Sequence, residues 1–142
     1  MEIYDMPGHL VRRLQQNSTQ IFTAEMRSAR IDLTSVQFGA LAAISEKPGL
    51  DQAAIATAIA YDRATIGGVV ERLIRKGLVD RTVSQRDRRS RELHLTPEGE
   101  ALYAEALPVV RKIQNQLVAP LGDDDRVEFM RLLRRILCSE HA

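Results

Sequence analysis

The sequence is poor in cysteine and in aromatic residues. Its 142 residues include one cysteine, Cys138, three tyrosines, three phenylalanines and no tryptophan. A single thiol can form neither an intrachain disulfide nor a thiolate metal cluster, and it fits a reducing compartment. The core must therefore be built mainly from leucine, isoleucine, valine and alanine, a composition that we take to favour helices.

Long apolar runs and a strong charge imbalance are also missing. No apolar stretch reaches the roughly 18 residues that span a bilayer. Residues 1–8 carry Glu2 and Asp5 in place of the basic start of a signal peptide. The sequence therefore predicts a cytoplasmic protein without a membrane segment. The formal net charge of +1 indicates no particular partner, and the length suits a single domain over residues 1–142.

Apolar residues recur at helical spacing along most of the chain. Thr34 and Gln37 form a capping-box pattern, Asp51 and Asp62 occupy further N-cap positions, and Gly77 suits a C′ position. The predicted helices cover about 9–29, the segment from Thr34 to a stop at Lys47, 52–60, the segment between Asp62 and Gly77, the segment from Pro97 toward Val118, and a last segment that starts at Asp123.

A charged hairpin is predicted between the fourth and fifth helices. Residues 78–83 and 91–95 alternate apolar and polar side chains as strands do. Residues 84–90, here called the wing loop, contain almost no apolar side chain. Residues 72–91 hold eight basic and two acidic residues, a local net charge of +6, and seven of the eight basic residues are arginine. The predicted fold class is mostly α with a small β-hairpin wing.

The order of these elements favours a winged helix-turn-helix. The third and fourth helices, joined by a tight turn, suit a helix-turn-helix whose second helix enters the major groove of DNA. An arginine-rich hairpin directly after it suits phosphate neutralisation and insertion into the minor groove. The plainer interpretation is a solvated surface loop, but the loop lies where a wing belongs. Double-stranded DNA is therefore the predicted partner.

Several stretches resemble the signature of the MarR family, the multiple antibiotic resistance regulators. They are Gly77-Leu78-Val79-Asp80-Arg81, Asp87-Arg88-Arg89, Leu95-Thr96-Pro97-Glu98-Gly99, and the helix start Leu33-Thr34 with Gln37. The resemblance covers nearly the whole chain. It implies a winged helix-turn-helix with N- and C-terminal dimerisation helices.

Two features depart from the family pattern. The wing loop starts with Ser84, where members of the family often carry an acid. Gly67-Gly68 lies inside the fourth helix, where each glycine costs about 1 kcal/mol relative to alanine. The glycine pair removes two side chains that could have contacted bases, and we expect it either to allow a closer approach to DNA or to give the helix flexibility.

Residues on the fourth helix are predicted to contact DNA. Arg63 and Thr65 are the candidates for base edges, because arginine can grip guanine and threonine offers a hydroxyl and a methyl group. Arg72 and Lys76, further along the helix, are candidates for phosphate contacts. The alternative for Arg63 and Thr65 is a solvent-exposed helix face, and Arg72 and Lys76 are expected to touch phosphate if they touch DNA at all.

The wing supplies the second set of predicted contacts. Arg88 or Arg89 is expected to enter the minor groove, and Arg81 and Arg86 complete the basic surface. Asp87 cannot favour DNA through its charge. We expect it to fix the loop instead, by pairing with Arg81 or with an arginine of the tip.

The N- and C-terminal helices, 9–29 and 97–138, carry more apolar residues than one winged-helix lobe of about 34–96 can cover. The resemblance implies that they form a homodimer, whose two reading heads address an inverted repeat with half-sites about one helical turn apart. The residues expected to pack against a twin and against the N-terminal helix are Leu102, Leu107, Val110, Ile113, Leu117, Leu133 and Leu137.

The start of the first helix, Gly8-His9-Leu10-Val11-Arg12-Arg13, resembles the branch of the family that responds to aromatic acids. The resemblance implies a repressor that releases its palindromic operator when a small aromatic carboxylate enters a crevice between the dimer helices and the reading lobe. Arg12 or Arg13 would hold the carboxylate, and His9 would bond a ring hydroxyl or nitrogen. The alternative is that these arginines form ordinary, weak surface ion pairs.

Other functional classes receive less support. A redox sensor needs an activated cysteine, and Cys138 lies near the C-terminus rather than in the first helix. His9, His94 and His141 are scattered, so no metal is expected, and no cofactor motif or catalytic constellation is recognisable. We therefore expect no enzymatic activity. A winged helix that binds protein instead of DNA is the remaining alternative, and the arginine-rich wing argues against it.

Overall fold

The structure, a computed structural model, describes residues 2–138. A short 3-10 helix, Ile3–Asp5, precedes the longer elements. These are α1 (Pro7–Ser28), α2 (Ser35–Glu46), α3 (Gln52–Ala58), α4 (Arg63–Arg75), β1 (Val79–Val83), β2 (Arg91–Leu95), α5 (Pro97–Leu117) and α6 (Asp123–Cys138). The predicted fold class, mostly α with one β-hairpin, is confirmed. Over this part of the chain no helix is long and apolar enough to cross a membrane.

The chain divides into two compact units. One comprises the described residues up to Ile21 together with those from Arg111 onward, and the other is Phe22–Val110. The second unit contains the three central helices α2, α3 and α4 and the hairpin. The predicted division into a lobe of about 34–96 and two dimerisation segments stays a prediction.

Side-chain caps set the starts of the three central helices. Thr34 and Gln37 form a full capping box, with the Gln37 backbone N–H 3.1 Å from Thr34 Oγ1 and the Thr34 N–H 3.0 Å from Gln37 Oε1. Asp51 accepts the N–H of Ala54 at 2.8 Å. Asp62 caps α4 in the same way. Each cap satisfies backbone donors that the first helical turn leaves without a partner, and the predicted helix starts are confirmed.

Two helix boundaries differ from the prediction. α1 begins at Pro7 instead of His9, because proline is well suited to the first helical position, where its missing N–H costs nothing. α3 ends at Ala58 instead of Ala60. Ala60 has φ +59°, a left-handed backbone conformation that ends the helix and forms the turn into α4.

One apolar core holds α2, α3, α4 and the hairpin together. Its fully buried large side chains within Phe22–Val110 are Leu41, Ile44, Ile55, Ile66, Val70, Leu73, Val79 and Leu93. Each contributes about 1.5–3 kcal/mol by burial. Since α4 and both strands contribute to the same core, the orientation of α4 relative to the hairpin is fixed by packing.

The second strand of the hairpin, β2, forms backbone hydrogen bonds along both of its edges. β1 and β2 pair antiparallel, with Val79 opposite Leu95 and Val83 opposite Arg91. On the other side of β2, the Gly49 N–H donates to the carbonyl oxygen of Leu93 at 2.9 Å, and the Leu93 N–H donates to Leu50 at 3.0 Å. The base of the wing is therefore fixed, and only the loop beyond it extends into solvent.

The junction between the hairpin and α5 is built around Thr96. Its hydroxyl donates to the carbonyl oxygen of Gly77 at 2.7 Å and accepts the N–H of Gly99 at 3.0 Å. Its own N–H donates to the carbonyl oxygen of Leu78 at 3.1 Å. Gly77 has φ +75°, the left-handed conformation expected at its C′ position. One buried threonine thus joins the end of α4, the start of β1 and the start of α5.

Candidate nucleic-acid interface

The start of α4 is exposed and held by Asp62. The Thr65 N–H donates to Asp62 Oδ1 at 2.7 Å, and the Thr65 hydroxyl donates to Asp62 Oδ2 at 2.9 Å. Hydrogen bonding by Thr65, through its N–H first and then its hydroxyl, lowers the pKa of Asp62 from its ordinary value. The hydroxyl proton of Thr65 is therefore already engaged, which leaves its oxygen lone pair and its methyl group for a partner. Arg63 is exposed in the same turn.

The two glycines of α4 differ in what surrounds them. A Cβ on Gly67 would lie 3.0 Å from Nε2 of Gln52, at the end of a flexible side chain. A Cβ on Gly68 would meet no atom within 4 Å. Gly68 therefore presents bare helix backbone to solvent, while Gly67 faces α3.

Arg72 and Lys76 lie in different surroundings. Arg72 is exposed and lines a groove of about 370 Å³ beside Thr65 and Gly68, so it shares the exposed side of α4 with them. The Lys76 ammonium hydrogen-bonds the carbonyl oxygen of Asp32 and lies 3.4 Å from Asp32 Oδ2. The end of α4 is thus tied to the loop between α1 and α2.

Arg81 has a carboxylate partner within the protein. Its guanidinium is hydrogen-bonded and ion-paired to Glu71, on the exposed side of α4. The expected pairing of Asp87 with Arg81 is therefore wrong. Asp87 Oδ1 instead accepts the backbone N–H of Arg89 at 3.0 Å, so it fixes the loop through the backbone, while Arg81 connects the wing to α4.

Ser84 organises the wing loop, a role that the sequence analysis missed. This buried residue accepts the N–H of Arg86 at 3.2 Å and that of Asp87 at 3.3 Å on its hydroxyl oxygen. Its own N–H donates to the Ser90 carbonyl oxygen at 3.0 Å. The sequence signal for this role was the position of Ser84, where members of the family often carry an acid. A serine hydroxyl and a carboxylate can both accept backbone N–H groups.

Arg91 closes the loop from the other end. Its guanidinium donates to the carbonyl oxygen of Arg88 at 3.0 Å and reaches that of Ser90 at 3.4 Å. The Ser90 N–H donates to the backbone carbonyl oxygen of Asp87 at 2.9 Å. The wing loop is therefore held by its own side-chain and backbone hydrogen bonds.

This closed loop carries three exposed cations, Arg86, Arg88 and Arg89. Within residues 2–138, none of their guanidinium groups forms an ion pair or a side-chain hydrogen bond. Charges without a local partner are available to an external anion. The tip of the wing is therefore the strongest candidate for a polyanion-binding surface in the described structure.

The predicted ligand residues lie on α1. His9 is half-buried, and its ring packs edge-on against Tyr4 with a centroid distance of 5.6 Å. Arg12 and Arg13 are exposed. Over the described residues no cluster of metal-ligating side chains occurs; His141 lies outside them. Cys138 is exposed at the end of α6.

Two helices joined by a tight turn, followed by a hairpin with a cationic tip, define the winged helix-turn-helix class. The chain belongs to the MarR family. The sequence model of that family matches residues 31–90, and relatives that are more than 30% identical match almost the whole chain. It is a transcriptional regulator of that family, which confirms the resemblance seen in the sequence.

Three similar proteins illustrate the match. The HTH-type transcriptional repressor NicR of Pseudomonas putida is 34% identical over 98% of this chain and 87% of its own length. BpsR of Bordetella bronchiseptica, solved to explain regulation of its DNA binding by 6-hydroxynicotinic acid, is 32% identical, with 96% of each chain covered and a TM-score of 0.89. The repressor CouR, solved on a 23-mer DNA duplex, is 31% identical, with 96% of this chain and 95% of its own covered and a TM-score of 0.86.

Proposed function

We propose that this protein is a homodimeric repressor that binds an inverted-repeat operator and releases it when a small aromatic acid binds. The observation that carries the DNA-binding part is the set of three unpaired arginines on a preorganised wing, beside the exposed start of α4. NicR is described as a repressor, CouR is solved with a DNA duplex, and BpsR is regulated in its DNA binding by an aromatic acid. These relatives support the same mode of action here.

α4 is the proposed major-groove helix. Arg63 and Thr65 lie in its first, exposed turn, the part of a recognition helix that reaches base edges. Arginine binds guanine bidentately, while Thr65 is left with its methyl group and an acceptor oxygen. Arg72, on the same groove, suits a phosphate. Lys76 is held by Asp32 and contributes to DNA binding mainly by orienting the end of α4.

The wing is the proposed minor-groove and phosphate contact. Arg88 and Arg89 are placed at its tip, and Arg86 follows directly after Ser84. Arginine is favoured in narrow minor grooves because the negative potential is greatest there. The pair formed by Arg81 and Glu71 holds the wing to α4, so both elements can engage DNA as one body.

The proposed dimer uses residues of the terminal segments. Exposed large apolar side chains in these segments are Ile3, Tyr4, Met6, Leu10, Val11, Val127, Met130, Leu132, Ile136 and Leu137. Such an extent of apolar surface is typical of a protein interface. Of the residues predicted to pack against a twin and against the N-terminal helix, Ile113 is fully buried within the chain, so it contributes to the chain's own packing.

The proposed effector is a small aromatic carboxylate, with His9, Arg12 and Arg13 as the candidates suggested by the sequence. Arg12 and Arg13 are exposed and can pair with a carboxylate, and Tyr4 adds an aromatic ring beside His9. Binding would favour a dimer in which the spacing of the reading heads no longer fits the operator.

In vitro selection on randomised duplex DNA at about 0.15 M ionic strength tests the proposal. We expect enrichment of an inverted repeat with half-sites about one helical turn apart. Weak binding without an enriched sequence would show that the wing is only an electrostatic patch. A protein partner would then be the better explanation of the winged helix.

Gly68→Ala should make the protein more stable and its DNA binding weaker. The new methyl group meets no protein atom, so helix stability rises by about 1 kcal/mol. On the outer side of α4 it holds the helix away from the DNA, and we expect affinity to fall about tenfold. Thermal unfolding and fluorescence anisotropy measure the two effects. Gly67→Ala is the matched control, because its methyl group faces Gln52 and should leave affinity unchanged.

Ser84→Ala should weaken DNA binding while the fold persists. Without the hydroxyl oxygen, the N–H groups of Arg86 and Asp87 lose their acceptor, and the loop must be ordered on binding. We expect about a tenfold loss of affinity and faster hydrogen exchange of these two amides. Ser84→Asp keeps an acceptor and should bind nearly as well as the wild type. Equal affinity of Ser84→Ala and wild type would refute the preorganising role.

A further inference from the structure

A second cavity lies within Phe22–Val110, and none of its lining residues belongs to the wing. It has a volume of about 460 Å³ and is bounded by the end of α1, the following loop and the start of α2. Phe22, Met26, Ile31 and Leu33, all buried, form its apolar wall. Cavities of this size hold small organic ligands, and an apolar wall selects for a ring or a short aliphatic body.

Two arginines line the same cavity. Arg27 and Arg30 are exposed, and within residues 2–138 neither guanidinium is engaged by a carboxylate. Arg30 has φ +56°, a left-handed conformation that glycine or asparagine adopts more readily. This conformation ends α1, where the Ile31 N–H donates to the carbonyl oxygen of Met26 at 2.9 Å. Two guanidinium groups without a carboxylate partner beside an apolar cavity are suited to pair with the carboxylate of a ligand.

The cavity is connected to the DNA-reading helix. Asp32 lines it, and the same residue holds the ammonium of Lys76, the C-cap of α4, through its carbonyl oxygen and at 3.4 Å through its carboxylate. A ligand whose carboxylate pairs with Arg27 and Arg30 would also place a negative charge near Asp32. The loop that lines the cavity is therefore the same loop that contacts the end of α4.

We propose that this cavity binds a small carboxylate with an apolar ring, and that occupancy is transmitted to α4 through the contact between Asp32 and Lys76. The binding site stands on its own geometry, and its effect on DNA rests on the proposed function. The site is distinct from His9, Arg12 and Arg13 at the start of α1, which provide a rival location for the same ligand class.

The binding site is tested without DNA. In protein labelled on its methionine methyl groups, titration with sodium benzoate should shift the Met26 resonance, and uncharged benzamide should not. Arg27→Gln combined with Arg30→Gly should weaken benzoate binding at least about tenfold. Glycine suits the backbone of residue 30, so this variant removes the guanidinium without adding strain. Arg111→Gln, an exposed arginine outside the cavity, should bind benzoate like the wild type.

Three outcomes would overturn the site: no shift of Met26, an equal shift with benzamide, or a shift abolished by Arg12→Gln and retained in the variant of Arg27 and Arg30. The last result would assign the ligand to the start of α1. Because these readouts need no DNA, they remain decisive even if the protein is not a repressor.

The coupling is tested on the operator obtained by selection. Benzoate should weaken wild-type DNA binding, and DNA should weaken benzoate binding by the same factor. Lys76→Met should keep the Met26 shift but lose the effect of benzoate on DNA binding, because it removes both the hydrogen bond to the Asp32 carbonyl oxygen and the contact with the Asp32 carboxylate. If benzoate shifts Met26 and DNA affinity is unchanged in the wild type, the cavity binds the acid but the proposed transmission to α4 is wrong.

Discussion

Arg88→Glu together with Arg89→Glu is expected to reduce operator affinity about 1,000-fold, to the level of non-specific DNA. Both guanidinium groups are exposed and have no partner within residues 2–138, so their charge is directed outward. Reversal removes two favourable interactions and places two acidic groups against the phosphates. The slope of log affinity against log salt concentration should also become shallower, by about one for each phosphate contact that is lost.

Anisotropy titrations over a series of salt concentrations measure this effect. The melting temperature should stay near that of the wild type, because neither arginine side chain supports the fold. Arg88→Lys with Arg89→Lys is the matched control: it keeps the charge but loses the planar guanidinium, and we expect about a tenfold loss. Unchanged affinity of the double glutamate variant would show that the wing does not contact DNA.

Gly99→Ala is expected to destabilise the fold by about 3 kcal/mol. A Cβ at this position would lie 3.0 Å from the carbonyl carbon of Leu78 and far inside contact distance of its oxygen. That carbonyl cannot move aside easily, since it accepts the N–H of Thr96, and Thr96 in turn holds Gly99 and Gly77. The whole junction between the wing and α5 must therefore shift.

Thermal unfolding checks this expectation, and a loss of this size lowers the melting temperature by roughly 10 °C. Gly122→Ala is the control, because its Cβ meets no atom within 4 Å and its φ is not positive. It should unfold within a few degrees of the wild type. A Gly99→Ala protein as stable as the Gly122→Ala protein would mean that β1 and α5 are packed less closely than the structure indicates.

The parts of the fold that the sequence predicts correctly are local. The capping residues Thr34, Asp51 and Asp62 act on N–H groups three positions ahead, so their patterns are visible in the sequence. Strand alternation and the charge of the wing loop are equally local. The early end of α3 was missed because Ala60 takes a left-handed conformation that the sequence signals only when glycine or asparagine is present.

The parts that the sequence did not predict depend on distant partners. Nothing near Arg81 in the chain indicates that Glu71 pairs with it, and nothing near Lys76 indicates Asp32. The close approach of Gly99 to Leu78 joins residues far apart in the sequence, and the burial of Ser84 depends on how the wing loop folds back on itself. Family resemblance marked Thr96 and Gly99 as part of a signature, and the structure supplies the physical reason.

The central claim is that a dimer reads two half-sites with α4 and the wing. Its most direct test changes the operator instead of the protein. Inserting about five base pairs between the selected half-sites places them on opposite faces of the duplex. We predict that affinity falls to the non-specific level, because one rigid dimer can then engage only one half-site. Equal affinity for the original and the lengthened operator would contradict the account and indicate chains that bind independently.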